Sequence, residues 1–175
     1  GAQVTVLDVN LARLRELEHR YGNALQTGAS TRYAIAEALQ SADLVIGSVL
    51  IPGAAAPKLV TDDMVAGMKP GSLLVDIAID QGGCFEGSHA TTHDAPTFAV
   101  HDALYYCVAN MPGAVPETST RALTNATLPY VTALADRGWD AAAAADPSLA
   151  KGLNVRGGEV VNAGVAAALG YAQAD

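Results

Sequence analysis

The strongest constraint on this chain is an alternation of short apolar runs with helical stretches over residues 4–76. Val4, Val6, Leu7 and Val9 make a β-rich run around Asp8. Leu11, Leu14 and Leu17 then recur at helical spacing behind Asn10, which is suited to cap a helix over 11–20. Tyr21-Gly22-Asn23 stops that helix, and residues 24–27 offer the next short strand. Residues 31–40 are helical in composition, with Ile35 and Leu39 on one face. Asp43-Leu44-Val45-Ile46-Gly47 reads as a buried strand, and residues 48–57 as a Pro/Gly/Ala loop. Thr61 is placed to cap a helix running to about Met68, which Lys69-Pro70-Gly71 ends. Leu73-Leu74-Val75 is a further buried strand, closed by Asp76.

Such βα alternation predicts an α/β fold with a doubly wound, mostly parallel sheet of Rossmann type. Right-handed crossovers put the strand C-termini on one edge. Asp8, Gly47-Ser48-Val49 and Asp76-Ile77-Ala78 are expected to meet along it, where open α/β sheets bind their ligands.

From Asp80 the texture changes. Residues 98–100 and 104–108 are two short β-rich stretches, expected as a hairpin or as edge strands. Thr118-Ser119-Thr120 is placed to cap a long helix to about Ala135, bent by Pro129. Residues 139–145 make a further helix, Arg156-Gly157-Gly158 the turn of a β-hairpin, and residues 163–169 a last short helix.

Composition narrows the function. Half of the 175 residues are hydrophobic and only 5% aromatic, which suits helices packed closely on a sheet. The net charge of −8 argues against nucleic acid, which needs a basic face. No apolar run is long enough for a membrane span. The opening Gly1-Ala2-Gln3-Val4 lacks the basic flank and apolar stretch of a signal peptide, so a cytoplasmic protein is the expectation. Cys84 and Cys107 read as two reduced thiols, and His19, His89, His93 and His101 form no metal-binding spacing, so no metal site is expected.

Three segments carry candidate chemistry. Asp8 ends a strand, where an acid either binds ribose hydroxyls of a dinucleotide or helps cap the next helix. The usual glycine-rich fingerprint about 20 residues earlier would lie before residue 1. Asp76 and Asp80 straddle the end of a strand ahead of Gly82-Gly83. Asp80 either orders a substrate amine or water for proton transfer or forms the turn. Val108-Ala109-Asn110-Met111-Pro112-Gly113 offers backbone groups and an amide to a flat ring, or is simply a loop.

Together these segments resemble the alanine dehydrogenase family. The similarity lies in Val4-Thr5-Val6-Leu7-Asp8-Val9-Asn10 and in Ala42-Asp43-Leu44-Val45-Ile46-Gly47 with Val49-Leu50-Ile51-Pro52-Gly53. It continues through Met68-Lys69-Pro70-Gly71-Ser72, residues 76–86, residues 106–116 and Ala122-Leu123-Thr124-Asn125-Ala126-Thr127-Leu128-Pro129-Tyr130. It covers residues 1 to about 169. The resemblance implies NAD as cofactor, L-alanine and pyruvate as substrate and product, and a homohexamer. It implies Asp8 as the ribose-binding acid, with Arg13 and Ser30 as further cofactor contacts. Val49, Leu50, Ile77, Ala78, Ile79, Asp80, Val108, Ala109, Asn110 and Met111 are then the lining of the cofactor cleft, and Asp80 the catalytic aspartate. It further implies that residues 1–116 form an incomplete NAD-binding domain lacking its first strand. Residues 117–175 would return to the substrate domain, with the substrate-binding Arg and Lys and catalytic His of the family lying N-terminal to this sequence. Two other readings are the NAD(H)-binding subunit of a proton-translocating transhydrogenase and a non-catalytic assembly fragment.

Overall fold

The computed structural model describes residues 1–49, 51 and 55–172. The chain divides into two compact units, one of residues 1–50 and 56–109, the other of residues 51–55 and 110–175.

The first unit contains the strands of the expected parallel sheet. Strand β1 (Thr5–Asp8) leads through helix α1 (Leu11–Tyr21) to β2 (Gln26–Ala29). Asn10 caps α1, its side-chain oxygen accepting the Arg13 N–H at 3.1 Å. Helix α2 (Arg32–Leu39), capped by Thr31, leads to β3 (Leu44–Gly47). Helix α3 (Asp62–Ala66) leads to β4 (Leu73–Asp76), followed by β5 (Thr97–Val100) and β6 (Ala103–Tyr106). The helix expected from Thr61 to Met68 is shorter, and its capping differs. The Asp62 N–H donates to Glu86 Oε2 at 2.8 Å, while the buried Thr61 hydroxyl has no partner among the described residues.

The strands fall into two hydrogen-bonded groups within this unit. β1 and β2 pair in parallel, with Asp8 opposite Ala29. The second group has the order β3-β4-β6-β5. β3, β4 and β6 run parallel, with Gly47 opposite Asp76 and Val75 opposite Tyr106. β5 and β6 form an antiparallel hairpin, the outcome expected of the two late β-rich stretches. His101 takes a left-handed φ of 52° in its two-residue turn.

Alternation along the strands sorts the two faces of the four-stranded group. Val45, Leu74, Tyr105 and Phe98 are cross-strand neighbours on the packed face. They join Leu39, Val60, Val65, Met68 and Phe85 in the core. Tyr105 lies 5.8 Å from the Phe85 ring, edge-on, and 5.3 Å from Phe98. Leu44, Leu73 and Leu104 lie across from one another on the other face, as do Ile46, Val75 and Tyr106. This corrects the expectation that β3 is buried: Leu44 and Ile46 are 54% and 57% exposed. The sequence carries the continuous apolar run of a strand covered on both sides, but only one face is covered among the described residues.

The second unit is mostly helical. Helix α4 (Pro116–Ala145) starts earlier than expected, with Pro116 in its first turn and Val115 as cap residue. The cap expected at residues 118–120 is therefore inside the helix, where the Ser119 hydroxyl reaches back to Pro112 O at 2.8 Å. Pro129 keeps helical dihedrals. The interruption falls instead at Gly138, with φ 70° and ψ 170°, just ahead of the expected helix at 139. α5 (Pro147–Ala150), the hairpin β7 (Val155–Arg156) and β8 (Glu159–Val160), and α6 (Ala163–Leu169) complete the unit. No described helix is long and apolar enough to cross a membrane.

Candidate functional site

Parallel pairing brings the candidate residues of the first unit to the C-terminal ends of their strands. Asp8 ends β1, and Ser30 follows β2 directly. The Ser30 N–H donates to the Asp8 carbonyl at 2.9 Å, which fixes the two positions side by side. Asp8 Oδ1 accepts the Asn10 N–H at 2.7 Å, and Oδ2 accepts no bond from the described residues. Asn10 is the residue that caps α1, so by accepting its N–H Asp8 also supports the start of that helix. Arg13 points along the exposed face of α1 and pairs with Glu16 at 2.6 Å. The structure brings it to no other candidate residue.

The second cluster forms where β3, β4 and β6 end. Val49 lies just beyond β3, residues 77–80 directly follow β4, and Val108 and Ala109 lie just beyond β6. Leu50 lies outside the described residues. The Ile77 N–H donates to the Gly47 carbonyl at 2.8 Å, so the β3 and β4 exits stay in register. Ile77 is exposed, Ala78 and Ile79 are buried, and Asp80 stands exposed in a 3-10 turn over Ile79–Gln81. Val108 is buried, and the Ala109 N–H donates to Thr91 O at 3.2 Å, which ties the β6 exit to residue 91. Asn110 and Met111 belong to the second unit. There Asn110 adopts a left-handed φ of 56° ahead of the 3-10 turn Met111–Ala114.

Asp76 organises the loop that carries Asp80. Its carboxylate is fully buried. Oδ1 accepts the Ala78 N–H at 3.1 Å and the Cys84 thiol at 3.5 Å. Oδ2 accepts the Cys84 N–H at 2.9 Å, the Phe85 N–H at 3.3 Å and the Ser88 hydroxyl at 2.6 Å. These donors meet the cost of burying a carboxylate without a cation partner. Two glycines make the arrangement possible. A Cβ on Gly83 (φ 75°) would stand 2.7 Å from Asp76 Oδ2, and one on Gly47 would stand 2.2 Å from Cys84 Sγ. Sequence reasoning noticed Asp76 only as half of a carboxylate pair. The glycine pair and Ser88 were the available signs of its structural role.

The two thiols of this region are held in their protonated form. Burial, then the charge of Asp76 and its hydrogen bond, pushes the Cys84 thiol from 9.0 up to about 12, with backbone hydrogen bonds at Cys84 and Val49 pulling the other way. Burial likewise raises Cys107. Both stay protonated at neutral pH, so neither is a nucleophile. His89 stacks on Phe98 at 3.8 Å, and His101 bonds to Asp62 at 3.0 Å. No group of described residues has the makings of a metal site. A cleft of about 660 Å³ between α2 and α3, lined by Arg32, Tyr33, Gln40, Thr61 and Met64 among others, contains none of the candidate residues.

Parallel strands joined through helices, with an acid ending β1 and a glycine-turned loop after β4, define a Rossmann-type α/β unit. The family description "Alanine dehydrogenase/PNT, C-terminal domain" matches residues 1–163, and the chain belongs to that family. It is similar to a Mycolicibacterium smegmatis protein named alanine dehydrogenase, 60% identical over 166 residues, which is 95% of this chain and 45% of that protein. Among solved structures, an L-alanine dehydrogenase matches with a TM-score of 0.81 and 46% identity, over 97% of this chain and 47% of its own. A transhydrogenase from Sinorhizobium meliloti matches with a TM-score of 0.69 and 27% identity, over 93% of this chain and 43% of its own. The chain thus spans about half the length of the relatives it matches.

Proposed function

We infer that this chain is the C-terminal portion of an NAD-dependent alanine dehydrogenase, which interconverts L-alanine with pyruvate and ammonia. The observation that carries this reading is the 60% identity to a protein of that name across 95% of the chain. The transhydrogenase reading rests on a much lower identity of 27%.

The site fits a dinucleotide in one specific respect. Asp8 holds an open carboxylate oxygen at the end of β1, the position from which an acid binds ribose hydroxyls. In this reading Asp8 and Ser30 hold the adenosine end, with Arg13 beside them. Val49, Leu50, Ile77, Ala78, Ile79, Val108, Ala109, Asn110 and Met111 line the cleft. Bound there, NAD supplies the hydride acceptor. Asp80, exposed on its turn, holds a proton of the substrate amine or of water at its carboxylate. Residues 1–116 act as the cofactor-binding part and residues 117–175 as part of the substrate domain. The substrate-binding Arg and Lys and the catalytic His come from a preceding portion of the protein, which assembles as a cytoplasmic homohexamer in L-alanine catabolism.

The test joins this chain to the N-terminal portion of the Mycolicibacterium smegmatis relative. The joined enzyme should reduce NAD with L-alanine and release pyruvate, and Asp80→Asn should lower kcat by about 100-fold or more, as expected for loss of a general acid–base group. Hydride exchange between two nucleotides without alanine would favour a transhydrogenase. A folded joined enzyme with neither activity would favour an assembly fragment.

A further inference from the structure

Lys58 stands alone as a cation in the run Ala56-Pro57-Lys58-Leu59-Val60, and no motif reading gave it a task. Its ammonium donates to three backbone carbonyls, Gly82 O at 2.5 Å, Gly83 O at 2.9 Å and Phe85 O at 3.1 Å. An ammonium has three donors and no acceptor, so its hydrogen-bonding capacity is spent within one loop. That loop is the one whose Cys84 and Phe85 N–H groups point into the Asp76 carboxylate. Its carbonyls therefore face a cation while its amides face an anion.

The backbone repeats this arrangement. The Ala56 N–H donates to Gln81 O at 2.9 Å, the Leu59 N–H to Cys84 O at 2.7 Å, and the Glu86 N–H to Val60 O at 2.8 Å. Residues 56–60 thus run alongside residues 81–86. Gly82 and Gly83 hold left-handed φ values of 89° and 75°, so the stretch is a tight loop that its own sequence does little to stiffen. The turn Ile79–Gln81, with Asp80 at its centre, enters directly into it.

We propose that Lys58 is a positioning residue: by holding the carbonyls of Gly82, Gly83 and Phe85 it fixes the loop from which Asp80 reaches the substrate. The inference rests on the functional reading of Asp80 given above. Lys58 touches neither substrate nor cofactor, and it acts on the reaction only through the placement of the Asp80 carboxylate. A surface lysine that merely adds stability would leave the contribution of Asp80 intact.

A double-mutant cycle on the joined enzyme separates these cases. Lys58→Met keeps the length of the side chain and removes all three donors. It should lower kcat by about tenfold while changing KM for NAD by less than about threefold, since the lost interaction serves the reacting geometry rather than cofactor binding. Lys58→Arg, which restores charge and donors, should recover most of that loss. In an Asp80→Asn background the same Lys58→Met change should cost less than about twofold, because the group it positions is gone. Hydrogen exchange at the Cys84 and Phe85 amides, followed in parallel, should accelerate by about tenfold in Lys58→Met. Equal losses in both backgrounds, or an unchanged kcat, would overturn the proposal. If Asp80→Asn itself left kcat intact, the functional reading of Asp80 would fail. Exchange would then decide whether Lys58 holds the loop at all, with unchanged rates refuting it. Should Lys58→Met not fold, Lys58→Gln, whose amide keeps two donors, should show a smaller loss of kcat that again vanishes in the Asp80→Asn background, and a loss of equal size in both backgrounds would overturn the proposal.

Discussion

The Ser88 hydroxyl donates to Asp76 Oδ2 at 2.6 Å, closing a loop of twelve residues onto the end of β4. The bond is short because the acceptor is charged and buried. Asp76→Ala would leave the N–H groups of Ala78, Cys84 and Phe85 without their acceptor. Since each buried unsatisfied donor costs about 1–3 kcal/mol, the substitution should destabilise the protein by about 3–5 kcal/mol. Ser88→Ala removes one bond to a charged group, together with the weak bond that the Cys107 thiol donates to the Ser88 hydroxyl at 4.0 Å, and should cost about 1.5–3 kcal/mol. Denaturant midpoints of the joined enzyme check the order. Equal stability of Asp76→Ala and wild type would remove Asp76 from the centre of the loop.

Gly47→Ala tests how closely β3 approaches that loop. The added methyl would meet Cys84 Sγ at 2.2 Å and the Phe85 ring at 2.7 Å. Both neighbours are buried in the core, so neither swings away freely. Overpacking of this kind costs about 1–3 kcal/mol and displaces the β3 exit next to Val49. We expect weaker NAD binding together with a lower thermal midpoint. Pairing Gly47→Ala with Cys84→Ala, which vacates the nearer contact, should recover part of both. No recovery would mean that the Phe85 ring alone sets the limit.

The thiols give a pH prediction. Burial and Asp76 raise Cys84 from 9.0 to about 12 in the folded chain. The sign follows from proton linkage: above pH 9 the unfolded chain loses the Cys84 proton while the folded chain keeps it. The stability contribution is therefore complete below pH 9 and is lost as pH rises toward 12. Cys84→Ala should flatten the decline in stability on the alkaline side, measured as unfolding midpoints across that window. Alkylation mapped by mass spectrometry should label Cys84 and Cys107 in urea and leave both unlabelled in the native protein at pH 8. Native labelling of Cys84 would contradict its burial.

Periodicity and turn residues made the α/β alternation legible, because Leu11, Leu14 and Leu17 or Leu73, Leu74 and Val75 report their own local geometry. The order β3-β4-β6-β5 was less accessible, since pairing between Val75 and Tyr106 leaves no mark in either segment alone. Capping misled in two places. Thr61 and residues 118–120 have the right chemistry, but Glu86 supplies the bond at α3, and at α4 the cap position is Val115, three residues before Thr118, with the fixed φ of Pro116 starting the helix. Candidate site residues were legible where they end strands, as Asp8 does. Asp76 was legible as a strand end, but its hold on the loop was not, nor was that of Lys58, because Cys84 lies eight residues from Asp76 and Gly82 lies 24 from Lys58.

In the function proposed above, cofactor choice rests on Asp8. Charge-assisted bonds from Asp8 to the ribose hydroxyls are worth about 1.5–3 kcal/mol, so Asp8→Ala should weaken NAD binding by about tenfold or more. The same carboxylate repels a 2′-phosphate, and removing it should narrow the preference for NAD over NADP. Arg13 would favour the phosphate further by exchanging its pairing with Glu16 for the added charge. Values of kcat/KM for both cofactors in the joined enzyme decide the matter. An unchanged NAD preference in Asp8→Ala would put the ribose elsewhere.

Parallel pairing also sets an order of events during folding. Leu44 pairs with Leu73, and Leu73 with Leu104, so each side of β4 waits for a segment about thirty residues away. The β5–β6 hairpin, in which Val100 faces Ala103, closes locally and at little entropic cost. Folding of the first unit should therefore begin at residues 97–106, with β4 docking onto a hairpin already formed and β3 arriving afterwards. Refolding kinetics read this directly: Phe98→Leu should slow folding, while Val45→Ala should mainly speed unfolding. The opposite pattern would place β3 in the nucleus, and the hairpin would then be the last edge to close.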